Sequence, residues 1–481
     1  MNKKINTCRL IIGFCLLSFG LSSCSEWLDV KPKSEIKEDE LFKTEQGFKD
    51  AMTGVYVLMT EAQLYGREMT FGLVEAIGQQ YEMDQATNDY YDATQFRYEV
   101  EKVTAKVDGI WSSAYKVVAN INNILENLET NGSCVTPPVY AQLKAECLGL
   151  RAFIHFDLLR LFGWGNLKER PDMLNRLCIP YAFQYTKEIV PQVTVGTALE
   201  YMEKDLTEAE KLISRDVATS RFSFNYYALL ATRMRIAMWK GDYSVARKYA
   251  ENLLNYETDF AWVSRNALET SYPENRDLTF SSEYLFGLSI EQYKDITDSN
   301  LEFKLVENQD NPQMFFHTAE IAAQLFEVEE NIGSGDYRYK WLYAQGGDRF
   351  AFLKLKQYEK SIYGNRVPLM KKAEIYYTLA ECLNESGNES ERQAGVGYLN
   401  TVRSKRNIPQ ALDVNISKDE LREEIQKEWR KEMLLEGQMF YYYKRRGVSS
   451  IPRCNITMTD QTYVLPLPQA ELEFGGRENN K

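Results

Sequence analysis

A mainly α-helical fold is predicted by two helical hairpins and by their contrast with the chain between them. Residues 222–256 carry apolar residues at i, i+3 and i+4 spacings on both sides of Gly241. Residues 367–408 repeat this arrangement around a turn at Gly387. Residues 258–366 show no long stripe with a helical period. The sequence therefore predicts dispersed helical hairpins with an inserted, irregular and loop-rich subdomain that contains few short strands.

The turn of the first hairpin explains why two helices meet there. Gly241 ends the first helix because glycine tolerates the left-handed conformation at a helix C-terminus, and Asp242 can cap the next helix. The order Gly241-Asp242-Tyr243, with Ala246 three residues later, is similar to the turn of a tetratricopeptide-type hairpin. Such a hairpin cannot bury both of its faces alone, so we expect other hairpins to stack on it.

Residues 1–23 have the order of a secretory signal peptide. A basic start precedes an apolar run, Leu10–Leu21, which at about 12 residues is too short to span a bilayer. The sequence Leu21-Ser22-Ser23-Cys24 is similar to a bacterial lipobox, whose cysteine receives acyl chains, palmitate among them, and begins the mature chain. An ordinary signal peptide that happens to contain a cysteine is the alternative. We predict a lipidated tether at 24–40, with the membrane anchor on Cys24.

The rest of the chain divides into three predicted parts. Residues 41–257 form an N-terminal helical part that ends with the first hairpin, and residues 258–366 form the inserted irregular subdomain. Residues 367–481 form a C-terminal helical part, with one long helix from Ser417 to Tyr443 that begins with the capping-box pattern Ser417-Lys418-Asp419-Glu420. The predicted strands are Ser282–Ile290 and Asp348–Gln357.

Composition and motifs argue against several classes of function. A formal net charge of −12 without a basic run makes nucleic acid a poor partner. The five cysteines after Cys24 are scattered without C-x-x-C spacing, so neither a disulfide framework nor a metal site is predicted. No P-loop, Gly-x-Ser-x-Gly or His-Glu-x-x-His motif occurs, so no catalytic residue and no cofactor is predicted. We interpret both histidines, His155 and His317, as structural residues.

Several segments, taken in order, resemble the SusD/RagB family of surface nutrient-binding lipoproteins. The matching segments are Cys24 to Pro32, Leu150-Arg151-Ala152-Phe153, Gly241-Asp242-Tyr243, Glu428-Trp429-Arg430-Lys431-Glu432 and Leu465-Pro466-Leu467-Pro468. Gln438 departs from the family pattern, which usually has arginine there. The resemblance implies an outward-facing outer-membrane lipoprotein that caps a TonB-dependent transporter. It also implies a ligand that is an oligosaccharide, or in some members a peptide, and no catalysis.

Two irregular, aromatic-rich stretches, 79–99 and 258–366, are the candidate ligand site. Sugar rings offer flat C–H faces that aromatic side chains cover, and hydroxyl groups that amides and carboxylates bind. The alternative for each aromatic residue is that it packs under a loop. The candidate ligand-binding residues are Tyr81, Asn88, Tyr90, Tyr91, Trp262, Tyr337 and Trp341.

The resulting hypothesis is a non-catalytic cell-surface protein that binds an oligosaccharide and delivers it to a TonB-dependent transporter. A helical-repeat scaffold lipoprotein without a small ligand is one alternative, and a peptide-binding member of the same family is another. The aromatic content of the two stretches favours ligand binding, because a scaffold does not need it.

Overall fold

The computed structural model describes residues 38–83, 88–215, 220–291, 293–300, 315–346, 349–358 and 360–480. The predicted signal peptide at 1–23, the lipidated Cys24 and most of the tether at 24–40 lie outside these residues and remain predictions. Among the helices that the structure describes, none is long and apolar enough to cross a membrane.

Helices make up most of the described chain, as predicted. The helices are α1 (Glu38–Leu41), α2 (Glu45–Met59), α3 (Leu73–Ile77), α4 (Tyr91–Thr94), α5 (Glu101–Asn131), α6 (Pro137–Phe162), α7 (Val195–Leu212), α8 (Tyr226–Lys240), α9 (Tyr243–Leu254), α10 (Arg265–Leu268), α11 (Tyr293–Asn300), α12 (Ala319–Phe326), α13 (Tyr337–Trp341), α14 (Lys372–Ser386), α15 (Glu389–Lys405), α16 (Lys418–Glu432), α17 (Met439–Arg446), α18 (Asp460–Tyr463) and α19 (Gln469–Glu473). Short 3-10 turns lie at Gly132–Cys134, Pro171–Asn175, Glu257–Asp259, Pro273–Asn275 and Ser281–Glu283.

The strands are few and short, and all of their pairings are antiparallel within the described residues. They are β1 (Leu177–Pro180), β2 (Gln192–Thr194), β3 (Tyr284–Ser289), β4 (His317–Thr318), β5 (Tyr343–Gly346), β6 (Arg349–Phe352) and β7 (Arg366–Lys371). β1 pairs with β2, β3 pairs with β7, and β6 lies between β4 and β5. The two strands expected from the sequence are present as the shorter β3 and β6.

Helix α6 is the centre of the helical part. Its residues from Ala145 to Phe162 are buried on every side. Charged groups in such a position must be paired, because an isolated buried charge is strongly destabilising. Arg151 donates to Asp205 on α7 at 2.7 Å, and Asp157 pairs with Arg160 one turn further along α6. These charged side chains of α6 are therefore paired, one pair joining α6 to α7 and the other lying within α6.

Both predicted hairpins are present, as α8 with α9 and as α14 with α15. Gly241 has a φ of 71°, and the Asp242 side chain accepts from the backbone N–H of Val245 at 3.1 Å. The two hairpins also pack against each other, because the Cys382 sulfur lies 3.6 Å from the Met238 sulfur. The stacking that the sequence predicts therefore occurs between hairpins that are distant along the chain.

The prediction of a single long helix from Ser417 to Tyr443 is wrong. Its capping box is present, but α16 ends at Glu432 and α17 begins only at Met439. Leu435 and Gly437 between them have φ values of 61° and 67°. The Glu75 carboxylate accepts from both of these backbone N–H groups, at 2.8 and 2.6 Å. The helix breaks because a carboxylate distant in sequence binds its backbone.

The predicted subdomain at 258–366 is joined to the helical parts by its longest strand. β3 pairs with β7, which leads directly into α14, and Leu285 and Phe286 of β3 are buried in the main hydrophobic core. A second, smaller apolar cluster forms within this part of the chain, from Val263, Leu268, Leu278, Phe280, Tyr337 and Leu342. The predicted boundaries at 41–257, 258–366 and 367–481 stay predictions.

Candidate functional site

The fold brings the two predicted ligand-facing stretches together. Glu82 and Phe316 form an antiparallel backbone bridge, with N–O distances of 3.0 and 3.1 Å. Beside this bridge, the ring of Tyr81 stacks on that of Phe315 at 4.8 Å between centroids. The described part of 79–99 therefore packs against the described part of 315–352 rather than forming an independent loop.

Three of the candidate residues in the first stretch have internal partners. The Tyr81 hydroxyl donates to Glu75 and accepts from the Leu435 N–H at 2.8 Å. Tyr90 is 4% exposed and donates to Glu68 at 3.0 Å, while the Asn88 side chain accepts from the Tyr90 N–H at 2.8 Å. Burial is the main cause that raises the pKa of both tyrosines, and the adjoining carboxylates raise it further. These contacts stabilise the stretch from within.

The fourth candidate in the first stretch, Tyr91, is placed differently. It begins α4, directly after Tyr90, and its side chain is half-exposed. Asp89 on the preceding turn is exposed. This turn is therefore the part of the first stretch that offers both an aromatic ring and a carboxylate to a ligand.

Both histidines are buried and neutral. His317 contacts the Tyr343 hydroxyl and the Gln80 carbonyl, each at 2.9 Å, and His155 contacts the Arg151 carbonyl at 2.8 Å. Burial lowers the pKa of each to about 3. The described residues contain no group of histidine, cysteine and carboxylate side chains suited to a metal ion. The structural interpretation of both histidines agrees with these contacts.

A network of buried charges, which the sequence analysis missed, fixes the second stretch on the C-terminal helices. This buried ion-pair network consists of Glu283, Asp336, Arg338, Lys371, Arg406, Glu428 and Glu432. Arg338 reaches Glu428 at 2.8 Å and Glu432 at 3.2 Å, while Arg406 reaches Glu432 at 2.8 Å. The only sequence signal was the spacing of four residues between the two glutamates, which is equally typical of a solvent-exposed helix face.

The network matters to the candidate site because Arg338 lies on the same short helix as two candidates. Helix α13 begins at Tyr337 and ends at Trp341. Tyr337 is buried in the smaller apolar cluster, whereas Trp341 packs on the edge of that cluster and is half-exposed. The fully buried Arg338 between them prevents α13 from rotating or shifting. Trp341 is thus an aromatic side chain at the surface on a fixed support.

Polar and aromatic side chains surround Trp341. The guanidinium carbon of Arg276 lies 4.8 Å from the Trp341 ring centroid, and Lys340 Nζ lies at the same distance. The loop that carries Arg276 also carries Tyr272, whose side chain is largely exposed. Tyr358 is a further aromatic residue near Arg276. Burial raises the pKa of Tyr358, and the positive charge of Arg276 opposes this rise. This arrangement can offer a flat ring and hydrogen-bond donors to one ligand.

The remaining candidate, Trp262, is half-buried among cations. Its ring lies 5.2 Å from that of Tyr376, with Lys372 Nζ at 4.9 Å and the Arg406 guanidinium carbon at 5.3 Å. Arg406 belongs to the buried ion-pair network, so Trp262 covers one side of that network. Its contacts differ from those of the Tyr81 and Tyr90 group, so the seven candidates do not form one continuous cluster.

A cavity of about 420 Å³ in another part of the molecule was also missed. It lies between α5, the β1–β2 connection and the C-terminal segment. Its lining includes Trp111, Gln184, Glu188 and Glu471, and Phe474 at its edge is 76% exposed. Sequence patterns could not identify it, because its lining residues come from three distant segments and follow no periodic spacing.

Two family models match the chain. The SusD-like model, described as starch-binding and associating with the outer membrane, matches residues 26–238, and the SusD family model matches residues 333–463. The chain is 25% identical over 467 residues to SusD-like protein P38 of Formosa agariphila, which covers 88% of each chain. It is 24% identical over 377 residues to a SusD-like protein of Bacteroides ovatus, which covers 68% of this chain and 65% of the relative.

Solved structures share the fold. A SusD superfamily protein from Bacteroides thetaiotaomicron superposes with a TM-score of 0.71 at 20% identity, covering 91% of this chain and 100% of that one. The surface glycan-binding protein A from the same species, solved with laminarihexaose, gives a TM-score of 0.66 at 15% identity, covering 91% and 99%. The predicted mainly helical fold is confirmed, and the chain belongs to the SusD/RagB family, whose members are carbohydrate-binding and non-catalytic proteins.

Proposed function

We propose that this protein is a cell-surface lipoprotein that binds an oligosaccharide and delivers it to a TonB-dependent outer-membrane transporter. Family membership supports glycan binding at the outer membrane. The observation that carries the proposal for this chain is Trp341, a half-exposed indole on a helix whose position is fixed by buried ion pairs. Fixing the ring before the ligand arrives reduces the entropy lost on binding.

The seven candidate residues divide into two proposed roles. Trp341, Trp262 and Tyr91 keep half-exposed rings, so we assign them to direct contact with sugar rings. Tyr81, Asn88, Tyr90 and Tyr337 have internal partners, so we assign them to supporting the surface from below. The reason for this division is that a side chain already bonded in the interior has little surface left for a ligand.

The proposed location depends on the first 40 residues. Lipidation of Cys24 would hold the protein at the outer membrane, and the polar tether at 24–40 would let the folded part reach a transporter in the same membrane. The test is labelling of growing cells with a palmitate analogue. Label should be incorporated into the natural chain and lost in Cys24→Ser, and incorporation into both would contradict the anchor.

Ligand binding is tested by calorimetry of the full-length protein in detergent against a panel of oligosaccharides and peptides, with product analysis of each mixture. We expect saturable heat with one class of glycan, no new product, and an affinity at least tenfold weaker in Trp341→Ala. Tyr185→Ala removes an exposed aromatic ring elsewhere and should bind as the natural protein does. Binding heat with peptides alone would favour the peptide-binding alternative. No binding heat with any ligand would favour the alternative of a scaffold without a small ligand.

A further inference from the structure

Cations and aromatic rings alternate along one segment of the surface beside Trp341. At one end, Arg276 stacks over Trp341. Next to it lies Tyr358, whose ring centroid is 5.2 Å from Lys356 Nζ. Burial raises the pKa of Tyr358, and Arg276 is close enough to oppose that rise. Trp341, Arg276, Tyr358 and Lys356 are therefore neighbours.

The same pattern continues along the chain to Arg366. Its guanidinium carbon lies 5.6 Å from the ring centroid of Tyr363 and also 5.6 Å from that of Phe222. Residues 356–366 connect this second group to the first, and the Gln357 side chain accepts from the Asn365 N–H at 2.7 Å, which closes the segment. We name the whole set the aromatic–cation strip: Trp341, Arg276, Tyr358, Lys356, Tyr363, Arg366 and Phe222, all of them half-exposed.

The three cations of the strip have no carboxylate partner among the residues that the structure describes. Arg276 donates to the Thr270 carbonyl at 3.3 Å. Arg366 donates to the Ser281 hydroxyl at 2.9 Å and to the Ile362 carbonyl at 2.8 Å. The Lys356 ammonium group lies over the Tyr358 ring and forms no ion pair with a described residue. Each cation therefore keeps N–H donors that a ligand can use.

Two of the described carboxylates near the strip, Glu269 and Asp277, are engaged in other contacts. Glu269 is shared by Arg265 and Lys340. Asp277 is buried and accepts from the backbone N–H of Ser281 at 2.8 Å. Glu274, two residues before Arg276, acts on Tyr358 and has no ion pair among the residues that the structure describes. Within these described residues the strip therefore carries three cations beside one such carboxylate, on a chain whose formal net charge is −12.

We propose that the aromatic–cation strip makes this protein selective for an acidic oligosaccharide, whose carboxylate or sulfate groups bind Arg276, Lys356 and Arg366 while sugar faces pack on Trp341 and Tyr358. This inference rests on the proposed function. A guanidinium binds a carboxylate or sulfate through two parallel N–H bonds, which are stronger than bonds to neutral hydroxyl groups. The acidic remainder of the surface repels the same ligand, so binding is confined to the strip.

The distribution of cations along the strip also favours an oligosaccharide ligand over a single sugar. Its cations are distributed along more than one aromatic ring instead of converging on one point. A polysaccharide with one negative charge on each repeating unit can contact several of them at once. A small inorganic anion would contact only one, so we expect phosphate and sulfate ions to compete weakly.

The test uses pairs of probes that share a sugar backbone and differ in the number of negative charges. Oligogalacturonate is compared with its methyl ester, and chondroitin sulfate with desulfated chondroitin, by calorimetry of the full-length protein at low and at physiological salt. We expect the more highly charged member of at least one pair to bind at least tenfold more tightly, with an affinity that falls as salt increases. The pair that responds identifies the group as a carboxylate or a sulfate.

Two variants connect the result to the strip. Arg276→Gln and Arg366→Gln should each weaken binding of the charged probe about tenfold, and two independent positions protect the test against local misfolding. Lys211→Gln, which removes an exposed cation on α7, is the matched control and should have no effect. Loss of binding in Lys211→Gln equal to that in Arg276→Gln would overturn the assignment to the strip.

The remaining outcomes separate this inference from the proposed function. Equal affinity within both pairs, or binding of neutral glycans alone, would overturn selectivity for acidic sugars and leave glycan binding intact. If no member of either probe pair and no neutral glycan binds, both the selectivity for acidic sugars and the proposed glycan binding are overturned.

Discussion

The buried ion-pair network and the aromatic–cation strip use the same kinds of side chain for opposite purposes. In the network, Arg338 and Arg406 are fully buried and are satisfied by Glu428 and Glu432. In the strip, Arg276 is half-exposed and stacks on an indole without a carboxylate partner among the described residues. A paired interior charge fixes structure, whereas an unpaired surface charge remains available to a ligand. The comparison predicts that changes in the network alter stability and changes in the strip alter binding.

The largest effect is expected from Glu432→Ala. It would remove the shared partner of Arg338, Lys371 and Arg406 and leave their charges buried with fewer acceptors. Breaking a buried ion pair from one side typically costs about 3–5 kcal/mol of unfolding free energy. Urea denaturation measures this loss. Glu423→Ala, at an exposed position of the same helix, is the control, and an equal loss there would refute the role of the network.

Acid should reveal the same network in the natural protein. Burial alone would raise the pKa of Glu428, but Arg338, Lys431 and Arg403 outweigh it and lower this pKa to about 2, from an ordinary value of 4.5. A lowered pKa stabilises the fold above pH 4.5, and this contribution is lost as the pH falls from there towards 2. We expect a loss of about 3 kcal/mol of unfolding free energy from this group.

The pH effect can be assigned by comparing slopes. Unfolding free energy is measured between pH 6 and pH 3 for the natural chain and for Glu428→Gln, and the variant should show the shallower slope. Burial raises the pKa of Glu75 to about 7, so this group stays protonated in the folded state below pH 4.5 and adds no slope there. Identical slopes in the two proteins would mean that groups other than Glu428 cause the acid sensitivity.

Substitution of Trp341 should change ligand binding more than stability, whereas substitution of Glu432 should change mainly stability. Removal of one stacked ring typically costs about 1–3 kcal/mol, and Trp341→Ala removes the whole ring while Trp341→Phe keeps a flat apolar face. We expect glycan affinity to fall most in Trp341→Ala and by an intermediate amount in Trp341→Phe. Calorimetry and thermal unfolding on the same samples compare the two quantities. An unfolding loss larger than the binding loss would make Trp341 a packing residue.

The smallest effect on stability is expected from Arg276→Gln. A half-exposed cation without a carboxylate partner contributes little to folding, so unfolding free energy should change by less than about 0.5 kcal/mol. Urea denaturation in parallel with Glu432→Ala gives the sharpest contrast between the two regions. A loss above about 2 kcal/mol would mean that the stack on Trp341 holds the loop in place.

Local sequence was sufficient to predict the two hairpins and several helix ends. Gly241, Asp242 and the capping box at Ser417 depend on residues within one helical turn, so their positions could be predicted from the sequence and are confirmed. The break between α16 and α17 depends on Glu75, which is 360 residues from Leu435 in the chain. Gly437 was a local signal of a helix end, but the left-handed conformation of Leu435 could not be predicted, because its backbone is bound by a carboxylate so distant in sequence.

The candidate site could be predicted only as a region. An excess of aromatic residues indicated two stretches, and the fold brings them together at Glu82 and Phe316. That these stretches hold the ligand stays a prediction. The aromatic content could not separate Tyr90, which is buried on Glu68, from Tyr91 beside it, which is half-exposed. Exposure depends on which distant side chains cover each ring, and Arg276 lies 65 positions before Trp341, so their stack has no sequence signature either.

The contact between the two hairpins has a consequence for how the chain folds. Met238 and Cys382 meet across 144 residues, so the first hairpin cannot bury its outer face until nearly four fifths of the chain is available. Closing such a long loop costs entropy before any contact compensates for it, and contacts of this kind slow folding. The apolar face of the early hairpin therefore stays uncovered while the chain is being synthesised. A chaperone that shields this face until the last third of the chain arrives would suit this topology.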